Sequence, residues 1–239
     1  MIKEIKLYDG KEIVRFDDEK HYFYDKKGDY LLSVTGITKI IDKSDALMGW
    51  AVNQMADYLL NSGEKEINLE IVEKAKKEYR RKKIEAADIG TLIHRWISEW
   101  IKGENPEMPD NEKVVNGITA FLKFQKERQL KWVESEKIVY SKKHKYAGIL
   151  DAIAEEGSNL ILVDFKSSNG IYDEMRMQVA GYQIAYEEEI QRKFNRQMII
   201  RFGKESGEFE VKELKEPKKD KKAFLACLTI KRRLQELKY

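Results

Sequence analysis

Apolar and charged residues alternate through the first 32 residues of the chain. This pattern predicts short strands over residues 2–7, 13–16 and 21–24, with turns at Asp9-Gly10 and Lys27-Gly28. From Ser33 the period changes. Ile37, Ile40 and Ile41 fall on one side of a helix that Ser33 or Thr35 would cap. Helical spacing continues over residues 46–61 and 69–83, and again from Asp88, where Ile89, Ile93, Trp96, Ile97 and Trp100 form an apolar face. A loop with Pro106 and Pro109 leads to a helix over residues 112–129 and then an alternating strand over 132–141. Residues 147–154 and 160–164 break the alternation, being almost continuously apolar and of strand length, as expected of strands buried on both faces. A helix over 172–189, strands over 197–202 and 209–214 and a helix over 223–237 complete the chain. Lys218–Lys222 reads as a charged linker or a helix start. Strands interleaved with helices in this way predict an α/β fold.

Each of the two buried runs carries one carboxylate, Asp151 in the first and Asp164 in the second, and Lys166 follows Asp164 by two. Asp164 and Lys166 therefore share a strand face, roughly 7 Å apart along the chain. The polar residues 155–159 between the runs predict an antiparallel hairpin. Folding it about Gly157 and Ser158 brings Asp151 opposite Asp164 or within one step of it. Buried acids are costly unless paired, protonated or bound to a metal. Two carboxylates beside an ammonium offer hard oxygen ligands suited to Mg²⁺ or Mn²⁺. Alone, an Asp-x-Lys pair is an ordinary ion pair on one strand face.

The ordered series Gly148-x-x-Asp151, Asp164-Phe165-Lys166 and Gln178-x-x-x-Tyr182 resembles the PD-(D/E)XK nuclease superfamily in its RecB-like exonuclease branch. The similar members are phage exonucleases and the mitochondrial genome-maintenance exonuclease. The resemblance implies a restriction-endonuclease-like core: a central mixed β-sheet flanked by helices, with an N-terminal extension of strands and helices. It implies a division into residues 1–86, forming part of a DNA passage, and residues 87–239, the nuclease core. The activity implied is Mg²⁺- or Mn²⁺-dependent DNA exonuclease, acting on single strands or duplex ends with a preference for single strands. Gly90-Thr-x-x-His94 resembles the histidine motif of the branch, which places His94 in the metal site with Asp151, Asp164 and the Phe165 carbonyl. Lys166 is then expected to position or activate the attacking water, and Gln178 and Tyr182 to support the site. Relatives often carry an acid on the first core strand, which Glu134 or Glu136 could match. Two other functions remain open, a catalytically silent nucleic-acid-binding module of the same fold and a restriction-type endonuclease.

Composition narrows the picture further. The 239 residues carry 45 Lys and Arg against 42 Asp and Glu, a net charge of only +3, so any nucleic-acid surface must come from local clustering. Cys227 is the single cysteine, which leaves no disulfide framework and no iron–sulfur cluster of the kind some relatives carry. No signal peptide or membrane span is evident. The expected location is the cytoplasm, or the host cytoplasm for a phage-encoded protein, with no membrane partner and protein partners unspecified. Arg80-Arg81-Lys82-Lys83 is either a solvated helix face or a phosphate grip, and Trp50 is either core or a base-stacking ring. Lys142-Lys143-His144-Lys145 reads as a solvated basic turn. His21 is expected on the surface, as is Glu99, which could instead sit just behind the metal ligands.

Overall fold

The computed structural model describes residues 1–63 and 66–237. Strands β1 (Ile2–Leu7), β2 (Glu12–Asp17), β3 (Tyr22–Tyr24) and β4 (Tyr30–Ser33) form an antiparallel meander. Leu7, Val14, Phe16, Phe23 and Leu31 come to one face of it and pack against Tyr140 and Ala147. His21 lies in the turn before β3, exposed and at a φ of +57°. Ser33 ends the meander and caps the short α1 (Val34–Thr38), its Oγ accepting the Gly36 N–H at 3.0 Å.

Two longer helices follow, α2 (Ser44–Leu60) and α3 (Leu69–Ile101). The pattern suggests separate helices over 69–83 and from Asp88. The structure has one helix of 33 residues instead. Residues 84–87 contain no Gly or Pro, so Asp88 interrupts nothing. α4 (Glu112–Arg128) begins at Asn111, whose side chain accepts from the Lys113 and Val114 N–H groups at 3.1 and 3.2 Å.

The centre of the molecule is β5 (Lys131–Ser141), β6 (Tyr146–Glu156) and β7 (Asn159–Lys166), joined antiparallel in sequence order. After α5 (Asp173–Ile190), β8 (Arg196–Phe202) pairs parallel to β7, and β9 (Phe209–Glu213) pairs antiparallel to β8. α6 (Pro217–Glu236) closes the chain. It starts earlier than residue 223 because Pro217 suits a first helical position, so the Lys218–Lys222 run forms its opening turns. β4 also pairs parallel to β6, at Leu32↔Tyr146 and Ser33↔Ala147, so all nine strands among the described residues belong to one mixed sheet. Helices flank it on both faces, the α/β architecture expected of a restriction-endonuclease-like core. α1, α5 and α6 cover one face through Val34, Ile37, Val179, Tyr182, Phe224 and Leu228. On the other face, Phe121 of α4 meets the rings of Trp100, Trp132, Phe165 and Phe202.

β6 has a forked edge. β5 runs along one side of it. The other side is shared, with β4 holding Tyr146 and Ala147, and β7 holding Ala152 through Glu156. Residues 148–151 lie between these partners with no ladder on that edge. By compactness the chain divides into two units, Met1–Ile41 with Ile93–Tyr239, and Asp42–Leu92. The first contains the whole sheet.

Candidate active site

The β6–β7 hairpin turns at Gly157 and Ser158, with Glu156 paired to Asn159 and Gly157 at a φ of +60° that suits glycine. Its ladder stops at Ala152↔Val163, and one further step puts Asp151 opposite Asp164. Instead of continuing the ladder, the Asp151 side chain fills the gap. Its Oδ2 accepts the Phe165 N–H at 2.7 Å, a donor that a continuing ladder would have given to a β6 carbonyl. Asp151 Oδ1 faces His94 Nδ1 at 3.6 Å. The Lys166 ammonium lies against Asp164 Oδ2. Asp151, Asp164, Lys166 and His94 are thus brought to one locus by two strands and α3.

The Phe165 side chain points away from this locus into the aromatic cluster with Phe121, Trp132 and Phe202, and the His94 ring meets it edge-on at 6.1 Å. Gln178 Nε2 donates to the Tyr182 hydroxyl at 3.0 Å. The Tyr182 ring occupies the space a side chain on residue 148 would need. A Cβ on Gly148 would sit 2.7 Å from Tyr182 Cε1 and 2.9 Å from Val34 Cγ2. Glycine at 148 therefore lets α5 bring Tyr182 down beside the acids.

The other candidate acids are each held in an ion pair. Glu134 pairs with Lys137 at 3.0 Å, Glu136 with Lys102 at 3.6 Å, and Glu99 with Arg95 along α3 at 3.9 Å. The pattern did not single out Glu174, in the first turn of α5, although its charge acts on Lys166. Its only sequence signal is its position just after the polar loop 167–170.

Burial and mutual attraction set the charges of the locus. Asp164 is 1% exposed, and burial pushes its pKa up to about 6, against the pull of Lys166 and with added repulsion from Asp151. Burial also opposes the charged forms of His94, Asp151 and Lys166, but opposite charges prevail. Asp151 holds the His94 pKa above the usual histidine value, His94 holds Asp151 below the usual carboxylate value, and Asp164 holds Lys166 above the usual lysine value. Burial, with the two negative charges adding to it, drives the Tyr182 hydroxyl well above the ordinary phenol range.

The His94–Asp151 pair has a calculable pH signature. The raised His94 pKa stabilises the fold below about 6.5 and is lost as pH rises through its folded value. The lowered Asp151 pKa stabilises it above about 3.8 and is lost as pH falls through its folded value. Urea unfolding of wild type and His94→Gln is therefore expected to differ most between about pH 4 and 6.5, the difference shrinking toward pH 9.

Among the described residues, no three His, Cys, Asp or Glu side chains stand close enough together to hold an ion. The Asp151–Asp164 pair nevertheless fits a hard divalent cation. Both Asp164 carboxylate oxygens are buried; the Lys166 ammonium lies against Oδ2, and Oδ1 has no hydrogen-bond partner, a costly state for a carboxylate oxygen that a cation relieves. Mg²⁺ needs only one or two carboxylates, keeping water at its other positions.

No family model matches the chain, and no curated protein matches it in sequence. Among solved structures, it is similar to the crystal structure of an alkaline exonuclease from Laribacter hongkongensis. The two are 12% identical, the match covers 87% of this chain and 94% of that one, and the TM-score is 0.39. A likeness that distant adds nothing to the chemistry of the site. No helix among the described residues is long and apolar enough to cross a membrane.

Proposed function

We propose that the chain is a metal-dependent deoxyribonuclease, an exonuclease that prefers single-stranded DNA and hydrolyses phosphodiester bonds with one or two Mg²⁺ or Mn²⁺ ions. The observation that carries this reading is the buried Asp164 carboxylate, with the Lys166 ammonium against Oδ2, Oδ1 left without a partner and Asp151 beside it. Asp164 and Asp151 would hold the ion with the Phe165 carbonyl, and neutral His94 would join them only after its side chain moves closer than it stands in the ion-free protein. His94 must shed the proton that Asp151 favours before it can serve. When bound, such an ion offsets the charge developing on the phosphate and acidifies water.

The role of Lys166 follows from its charge. In the ion-free protein both acids keep it an ammonium at neutral pH, so it donates to the attacking water or a phosphate oxygen and does not act as the base. Tyr182 stays protonated at any working pH and, held by Gln178, supports the locus from α5. Residues 1–86, including Arg80–Lys83, are assigned to guiding DNA and residues 87–239 to the chemistry.

Calorimetric titration with Mn²⁺, together with digestion of matched linear and closed-circular single strands, tests the reading. Wild type is expected to bind Mn²⁺, Asp164→Asn to lose that binding, and only the linear strand to be degraded. A wild type that binds no Mn²⁺ at these acids is a silent module, and cutting of the circle makes the protein an endonuclease.

A further inference from the structure

We propose that Glu136 is a positioning residue whose left-handed backbone aims Asp151 into the site, an inference that rests on the nuclease reading of Asp151. Glu136 lies in the interior of β5, yet its φ is +51°, a conformation that residues other than glycine seldom adopt and that is foreign to a strand. The β5–β6 register pairs Lys137 with Leu150 and Ser135 with Ala152 but omits the pair between them, Glu136 with Asp151. Asp151 therefore sits beside an interruption in the β5 ladder, just where the β7 ladder has also ended.

Side-chain alternation slips at the same level on both strands. Glu134 and Lys137 touch at 3.0 Å although they are three residues apart, a spacing that strict alternation sends to opposite faces. Leu150 and Ile153, also three apart, share the cluster under α5. Without the slip, Asp151 would follow Ala147 and Ile149 toward the β1–β4 meander. With it, the carboxylate reaches His94 and the Phe165 N–H. One residue of left-handed backbone converts a regular strand position into one that can face the β6–β7 gap without inserting a residue, since the register is the same on both sides of Glu136 and the shift in this ladder lies further back, between Trp132 and Glu134. The Glu136 side chain is not the agent, since it pairs outward with Lys102.

Two substitutions separate backbone from side chain. Glycine adopts this φ freely, whereas valine, β-branched, is driven back toward the strand region. Glu136→Val is expected to weaken Mn²⁺ binding and DNA degradation by about tenfold or more, and to speed hydrogen exchange of the Phe165 amide by about the same factor. Glu136→Gly is expected to match wild type in all three. If the valine variant unfolds, Glu136→Ala, a milder strain, decides by the same readouts. The proposal is overturned if the folded valine or alanine variant keeps wild-type Phe165 exchange and Mn²⁺ affinity, or if glycine loses as much as valine. Should wild type bind no Mn²⁺, the nuclease reading fails, and Phe165 exchange still decides the role of Glu136.

Discussion

Lys166→Ala is expected to degrade labelled DNA in Mg²⁺ about 100- to 1,000-fold more slowly than wild type, the usual loss when one preorganised charge is removed from a phosphoryl-transfer site. The effect is large because the ammonium is built in. Its side chain is 15% exposed, it lies against Asp164, and both acids of the locus hold it protonated. Removal also strips Asp164 of its nearest counter-charge, leaving only the weaker pull of His94. With the ammonium gone, the carboxyl titrates still higher than about 6 and competes poorly for a cation near neutral pH. Part of the loss should therefore be recovered by raising Mg²⁺ or pH, while the remainder reflects the missing donor. Lys166→Arg should not restore the rate, because a planar guanidinium on a longer stem cannot take the place of a compact ammonium in so confined a position. Circular dichroism and a cooperative melt establish that the variants fold. Equal rates for folded wild type and Lys166→Ala would end the catalytic assignment.

Phe121→Ala is expected to destabilise the protein by about 3–5 kcal/mol, the range for removing a fully buried aromatic ring, and to lower the melting temperature by roughly 10 °C or more. Phe121 is 0% exposed and stands at the centre of the helix-covered face opposite α5, with Trp100 at 5.2 Å, Phe202 at 5.8 Å, Trp132 at 6.0 Å and Phe165 at 6.2 Å between ring centres. Four neighbours lose contact at once, and rings anchored on three strands and one helix cannot close the void together. Phe165 is one of them, and its N–H holds Asp151. Phe121→Leu should cost less and leave activity near wild type. Urea unfolding of the three proteins measures the difference, and a loss under 1 kcal/mol for the alanine variant would show that this face is not tightly packed.

The hairpin carrying both acids was legible in the residues because its two runs are apolar on both faces and its turn is short and polar, so Gly157 and Ser158 fixed the pairing. The Ser33 cap and Asn111 start were also open to local rules. What escaped was decided elsewhere. The continuity of α3 depended on the absence of a breaker, which a search for starting signals at Asp88 overlooks. The alternation assigned to residues 132–141 assumed a regular strand, and nothing in Ser135-Glu136-Lys137 announces a left-handed residue. That conformation falls at the one level between Ser135 and Lys137 where β5 and β6 do not pair. The tilt of Phe165 into an aromatic cluster was likewise invisible, since its partners Phe121, Trp132 and Phe202 come from three other segments.

The parallel pairing of β4 with β6 bears on how the chain is made. Leu32 pairs with Tyr146, so the meander must wait for 114 further residues (146 minus 32) before its partner leaves the ribosome. At common synthesis rates this delay is on the order of ten seconds. Through that interval Leu7, Val14, Phe16, Phe23 and Leu31 present an uncovered greasy surface with an open strand edge beside it. Nascent chains stalled before residue 146 should accordingly be the ones that chaperones hold and that aggregate when chaperones are scarce.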